Sequence, residues 1–285
     1  MEFLASLFGY VLNFIYGIVN NFGVAIILFS ILVKLLMLPI SIKQQRTMKK
    51  SAKVQEKLKQ IQFKYKNDPE QMNKETIALY KSEKMSPFSG CLSGILQIVL
   101  LLAVFFMVQS PLTYMKKADK DLIEQYKNEI KEVAEQSENN NNRNTAYPEI
   151  QVIKEKGPED ERVYLNMNFL GLDLSSVPIS NLSDYRVYII PVLYVISSFI
   201  SIKISNSMLM NVKKKKDEDG EEKTEVDAAA QANKTMTYIM PFMAVSISLI
   251  APLGLALYWL VNNLLMILER FIITKYFMPK EEENA

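Results

Sequence analysis

The residue in this sequence with the clearest capacity for chemistry is Lys34, because it lies inside an apolar stretch. Within residues 22–42, Ser30 and Lys34 are surrounded by residues with long aliphatic side chains. As a helix, this stretch would cross roughly the 30 Å hydrocarbon core of a bilayer. Lys34 comes nine residues before Lys43, where a basic flank begins. Its ammonium would therefore lie about 13 Å deep, somewhat further than a lysine stem can reach.

An ammonium at that depth costs about 2.5 to 3.5 kcal/mol unless water or a counter-ion meets it. The other apolar stretches offer no carboxylate near that depth. We therefore expect Lys34 to face a water-filled cavity that attracts acidic or polar groups. Ser30, four residues earlier, lies on the same helix face.

Other polar residues lie at membrane depth in the remaining apolar stretches. They either line the same cavity or form hydrogen bonds between helices. These residues are Gln97, Ser246, Ser248, Asn262 and Asn263.

The composition argues against most enzymatic chemistry. The chain has no histidine, Cys91 is its only cysteine, and its nine glycines form no phosphate-binding loop. These counts exclude a histidine-based triad, a multi-cysteine metal site and a P-loop. We therefore expect a protein that is not an enzyme, with no catalytic residues, cofactor, metal or nucleic-acid recognition. A serine–lysine dyad that uses Lys34 stays open as an alternative.

Apolar blocks of about 20 residues, separated by charged segments, are typical of an all-α polytopic membrane protein. The N-terminal residues 1–21 form an apolar segment with a weakly polar stripe, which predicts an interfacial amphipathic helix rather than a signal peptide. Five transmembrane helices follow, at residues 22–42, 89–110, 185–205, 235–251 and 253–275.

The charges of the connecting segments set the predicted topology. Residues 43–88 hold twelve bases against five acids, which predicts a cytoplasmic loop, and their pattern is that of a helical hairpin with its turn at Pro69. This hairpin either sets the topology alone or docks lipid, a ribosome or an incoming chain. Residues 111–184 hold fourteen acids against nine bases, which predicts an extracytoplasmic region. The amino terminus is then outside, with cytoplasmic segments at residues 206–234 and 276–285.

Three stretches resemble the YidC-type membrane protein insertase family of bacteria. They are NFGVAIILFSILVKLLMLPI with its following KQQ, EKMSPFSGCLSGILQ, and APLGLALYWLVNNLL. The resemblance covers about residues 1–110 and 165–275, and it implies a five-helix core around a hydrophilic groove. It also implies that Lys34 stands where the family has an arginine. The groove or substrate-contacting positions that it implies are Ser30, Gln97, Tyr258 and Trp259.

Two departures from the family pattern matter. Lysine keeps the charge of arginine but lacks its planar fork of donors. The acidic region at residues 112–164 has no counterpart in the family core.

The resemblance implies an insertase and chaperone for nascent membrane proteins that hydrolyses no nucleotide. Its partners would be nascent membrane proteins and lipid, with the ribosome and the Sec translocon as further partners, in a bacterial cell membrane. Two alternatives belong to other classes of protein. One is an ion or solute transporter with Lys34 in its path, and the other is a structural partner of a larger translocon.

Overall fold

Helices dominate the computed structural model, which describes residues 2–84, 89–136, 146–210 and 246–277. The α-helices are α1 (Glu2–Val19), α2 (Phe22–Lys64), α3 (Pro69–Ser82), α4 (Ser89–Gln109), α5 (Lys120–Gln136), α6 (Pro148–Lys156), α7 (Ile189–Met210) and α8 (Leu253–Ile272). The chain also contains single turns of π-helix at Leu112–Lys116 and Ile273–Phe277 and of 3₁₀-helix at Pro178–Ser180 and Tyr185–Tyr188.

Four helical segments are long and apolar enough to cross a membrane: Glu2–Val19, Phe22–Thr47, Tyr185–Ile204 and Leu253–Phe277. A shorter apolar helix covers Ile98–Gln109. The predicted class, an all-α polytopic membrane protein, is confirmed. The predicted span at residues 235–251 lies mostly outside the described residues, of which 246–250 are helical. The interfacial position of α1 stays a prediction.

The first predicted span and the first arm of the predicted hairpin form one helix. This helix, α2, is 43 residues long and continues through Pro39. It ends before a turn at residues 65–68, after which α3 begins. Asp68 caps α3 by accepting a hydrogen bond from the Gln71 amide at 3.0 Å, and Pro69 occupies the first helical position. Local chemistry thus fixes the turn of this helical hairpin.

The chain divides into two compact units. The first contains Met1–Leu36, Ile98–Ser198 and Phe242–Leu265, and the second contains Met37–Gln97, Phe199–Pro241 and Met266–Ala285. The core of the first unit is built from apolar side chains of several helices and loops. Its largest fully buried members include Leu12, Phe29, Met107, Leu174 and Leu255.

We call residues 111–177 the cap region; the structure describes 111–136 and 146–177 of it. Helices α5 and α6 pack together there, and Lys156 Nζ lies 2.6 Å from Glu129 Oε2. A β-hairpin follows, in which β1 (Asn168–Phe169) pairs antiparallel with β2 (Leu172–Asp173). Alternating side chains in this part of the chain, such as Val163 and Leu165, are buried. The described part of the acidic region is therefore folded, although its composition resembles that of a solvated loop.

Candidate functional site

Ser30 and Lys34 lie one helical turn apart on α2, as predicted from their spacing. Ser30 is buried, and its hydroxyl donates a hydrogen bond to the Ile26 carbonyl at 2.7 Å. Its proton is therefore used within its own helix, and only its oxygen is available to accept. The Lys34 side chain is partly buried, whereas the next two residues, Leu35 and Leu36, are exposed. An ammonium in this position can donate to acidic or carbonyl oxygens.

Asn263 of α8 joins that helix to α7. Its Nδ2 donates to Ser197 Oγ at 2.9 Å and to Ser198 Oγ at 3.2 Å, and all three side chains are buried. Sequence reasoning found Asn263 but missed both serines, whose signal was an adjacent pair of hydroxyls inside an apolar span. The contact matches the interpretation of Asn263 as a residue that bonds helices together.

An aromatic contact lies close in sequence to the hydrogen bonds between Asn263 and the two serines. The rings of Trp259 and Tyr194 have centroids 6.2 Å apart, so they also connect α8 with α7. Tyr258, the neighbour of Trp259, is buried in the core. Both residues that the family resemblance indicated on α8 are thus at least partly enclosed by protein.

The remaining predicted positions differ in their burial. Ser248 is buried, Asn262 is partly buried and Ser246 is exposed. The side chain of Gln97 lies outside the described residues. Sequence reasoning also passed over Glu269 and Arg270 near the end of α8, which are both partly buried. In the part of the chain that the structure describes, no three His, Cys, Asp or Glu side chains form a metal-binding group.

The cap region covers the N-terminal ends of α2 and α8, which is the feature of the site that sequence reasoning missed. The amides of Leu253 and Gly254 donate to the carbonyls of Ser176 and Leu174, each at 2.9 Å. The first amides of a helix have no partner within the helix. Here carbonyl groups of the cap satisfy two of them at the start of α8.

The same arrangement occurs at the start of α2. The Phe22 amide donates to the Asn166 carbonyl at 3.0 Å, and Asn21 Nδ2 donates to the Asn168 carbonyl at 2.7 Å. Asn21 also caps the helix, since its Oδ1 accepts from the Val24 amide at 3.1 Å. The cap region therefore bonds directly to the starts of two candidate spans.

A buried carboxylate fastens the cap region internally. Glu149 is only 3% exposed, and its two oxygens accept from the Thr113 amide at 3.0 Å and the Thr113 hydroxyl at 2.5 Å. Nearby, Lys116 Nζ donates to the carbonyls of Glu161 and Tyr164. Burial lowers the pKa of Lys116, although the charges of Asp160 and Glu161 oppose this change. Polar groups inside the cap are thus paired by hydrogen bonds.

The chain is similar to bacterial membrane proteins over most of its length. A family model described as "60Kd inner membrane protein" matches residues 14–281. The membrane protein insertase YidC of Rickettsia prowazekii (strain Madrid E) is 28% identical over 267 residues, which are 94% of this chain and 38% of that protein. The protein of the same name from Fusobacterium nucleatum subsp. nucleatum is 26% identical over 272 residues, 95% of each chain.

A third relative, the membrane protein insertase YidC of Caldanaerobacter subterraneus subsp. tengcongensis, is 38% identical over 110 residues, 39% of this chain and 53% of that protein. The chain spans 38% of the length of the Rickettsia relative. This similarity and the apolar helices of the chain together identify it as a multi-pass bacterial membrane protein. It belongs to the 60Kd inner membrane protein family, the family of YidC-type membrane protein insertases.

Proposed function

We propose that this chain is a membrane protein insertase that works without nucleotide hydrolysis and is not an enzyme. The match of the family model to residues 14–281 carries this proposal. The names of the similar proteins from Rickettsia and Fusobacterium, both called insertases, support it. Its substrates are nascent membrane proteins, which it also assists in folding.

The barrier that an insertase lowers is desolvation. A substrate's polar or acidic segment must pass through hydrocarbon, where each polar group without a hydrogen-bond partner costs about 2 to 7 kcal/mol. In this proposal Lys34, one helical turn after the buried Ser30, receives such a segment in a hydrated groove. The apolar helix of the substrate then enters lipid, and its transfer from water supplies the driving force.

The contacts of the cap region support a groove that is closed on the outer face. If the starts of α2 and α8 face outward, the cap blocks the outer ends of both helices with hydrogen-bonded peptide. The basic segment at residues 43–84 is then cytoplasmic, as its twelve bases against five acids favour. The amino terminus is outside, the carboxyl terminus is cytoplasmic, and the hairpin meets lipid, the ribosome or the Sec translocon.

The test is insertion by the purified chain in vesicles of phosphatidylethanolamine and phosphatidylglycerol. A single-span substrate with an acidic outer tail is translated without other translocation proteins, and protease protection measures insertion. We expect insertion above that of empty vesicles. We also expect about a tenfold loss for Lys34→Ala, the equivalent of about 1.4 kcal/mol, and recovery for Lys34→Arg.

Lys203→Ala is the matched control, since Lys203 is an exposed lysine of α7. Wild-type insertion no better than that of empty vesicles would overturn the proposed function. Ion flux through the same vesicles without insertion would favour a transporter. Normal insertion by Lys34→Ala would remove Lys34 from the mechanism and leave the insertase intact.

A further inference from the structure

Leu170 occupies a backbone conformation that suits its residue type poorly. It lies in the two-residue turn between β1 and β2, with φ of +52°, and Gly171 follows with φ of +79°. Turns with left-handed backbone at both central positions favour asparagine or glycine. A bulky side chain there is an outlier, and such outliers concentrate at functional positions. The backbone conformation of the turn therefore does not explain why a leucine occupies position 170.

The Leu170 side chain is 87% exposed. Its neighbour Phe169 is fixed against the start of α2, because a Cβ built on Gly23 would lie 2.5 Å from Phe169 Cγ. The carbonyl before it, that of Asn168, accepts from Asn21 Nδ2. Leu170 thus directly follows a residue held at the start of the candidate span Phe22–Thr47. The start of a span lies at the boundary between hydrocarbon and headgroups.

Two further exposed apolar side chains lie at the start of another candidate span. Leu182 is 73% exposed and Tyr185 is 78% exposed, and Tyr185 is the first residue of the span Tyr185–Ile204. Asp184 fixes this entry, since its Oδ1 accepts from the Arg186 amide at 3.1 Å. Tyrosine is enriched at membrane–water boundaries because its ring is apolar and its hydroxyl polar.

We propose that Leu170, together with Leu182 and Tyr185, inserts into the bilayer at the boundary of headgroups and acyl chains, and so anchors the cap region in lipid. The partner is the lipid surface itself, because these exposed apolar side chains lie beside the starts of two candidate spans. This inference does not depend on insertase activity. Under the proposed topology, the leaflet concerned is the outer one.

The test measures the surroundings of a spin label at Leu170→Cys and at Leu182→Cys, each in a Cys91→Ser background. Glu135→Cys is the control, because Glu135 is an exposed residue of α5 within the same cap region. The full chain is reconstituted in vesicles of phosphatidylethanolamine and phosphatidylglycerol. Collisions of the label with oxygen, which concentrates in lipid, are compared with collisions with a water-soluble nickel chelate.

We expect the labels at 170 and 182 to collide more with oxygen, and several-fold less with nickel, than the label at 135. Nickel collisions at 170 equal to those at 135 would place Leu170 in water and overturn the proposal. Low collision rates with both reagents would place it against protein and overturn it equally.

A second readout covers the case in which the labelled proteins do not fold. Leu170→Trp in a Trp259→Phe background carries a single tryptophan. Lipids brominated near the headgroup should quench its fluorescence by more than half, whereas iodide in the water should quench it little. The reverse pattern would contradict insertion of the turn.

Discussion

The cap region and the helical hairpin are held together by different kinds of interaction. In the cap region, peptide groups bond to helix starts and Glu149 pairs inside the protein. In the hairpin, α3 has no buried residue. There Lys57 Nζ lies 2.6 Å from Glu83 Oε1, and Lys50 Nζ donates to the Glu83 carbonyl, both at exposed positions. Buried hydrogen bonds are screened by salt much less than exposed ion pairs are.

This difference indicates which region is built to move. A segment with few buried contacts opens locally at low cost, and segments that bind partners commonly have this character. The cap region, with its buried apolar side chains and paired polar groups, should open only with the first unit as a whole.

Removal of the buried carboxylate should weaken the cap region most. Glu149→Ala leaves the Thr113 amide and hydroxyl without their acceptor, which costs about 1.5 to 3 kcal/mol for hydrogen bonds to a charged group. Unfolding in detergent micelles, followed by circular dichroism, measures this loss. Glu155→Ala is the control on the same helix, since Glu155 is exposed. Equal stability of the two variants would contradict a structural role for Glu149.

Crowding the contact between the cap and α2 should have a similar or slightly smaller effect. A Cβ at Gly23 meets the Phe169 ring, so Gly23→Ala forces a shift that costs about 1 to 3 kcal/mol. Gly17→Ala is the matched control, because nothing lies within 4 Å of a Cβ built there. Unfolding midpoints of the two variants should separate clearly. If Gly23→Ala is as stable as Gly17→Ala, the cap does not press on α2.

Removal of the contact between α7 and α8 tests whether spans depend on polar bonds as the cap region does. Asn263→Ala loses the bonds to Ser197 and Ser198, and hydrogen bonds between spanning helices contribute about 0.6 to 1.7 kcal/mol. The partly buried neighbour Asn262 provides the control variant, Asn262→Ala. Unfolding by denaturant in mixed micelles measures the difference. A larger loss for Asn262→Ala would reverse the roles assigned to these asparagines.

The local opening of the hairpin should depend on pH and salt. The global stability of the protein should change less here than in the variants above. The hydrogen bond from Lys57, together with its charge, lowers the pKa of Glu83 from its ordinary 4.5. The stabilisation is therefore present above that ordinary pKa and is lost as pH falls through the lower pKa of the folded state. Hydrogen exchange of α3 should accelerate over that range and in high salt.

Lys57→Ala should remove this dependence on pH, whereas Lys81→Ala, an exposed lysine of α3, should keep it. If the hydrogen exchange of α3 in the wild type does not depend on pH, the ion pair does not hold the hairpin together. In that case the contrast with the cap region would disappear.

Local patterns in the sequence predicted much of the fold. Runs of apolar residues indicated the spans, and the Asp68-Pro69 pair indicated the turn of the hairpin, because capping and proline chemistry act on neighbouring residues. The contacts of the cap region were not predictable in this way. They use carbonyl groups of residues such as Asn166 and Ser176, and a carbonyl has no signature in the sequence.

The candidate site was predictable only in part. Lys34 is conspicuous because a cation in an apolar stretch is rare. Ser197 and Ser198 resemble any serines in a span, and Glu149 resembles any acid of an acidic segment, so only the folded chain distinguishes them. The gathering of the predicted polar residues around one groove stays a prediction.

The most direct test of the proposed mechanism is whether a substrate passes beside Lys34. A photo-crosslinking amino acid is placed at Val33, and at Phe14 on the exposed face of α1 as a control. A ribosome-bound single-span chain with an acidic tail is then presented to each protein. We expect a crosslink from residue 33 that weakens when Lys34 is changed to alanine or when the tail is made neutral. No crosslink from residue 33, or one that neither change weakens, would contradict it.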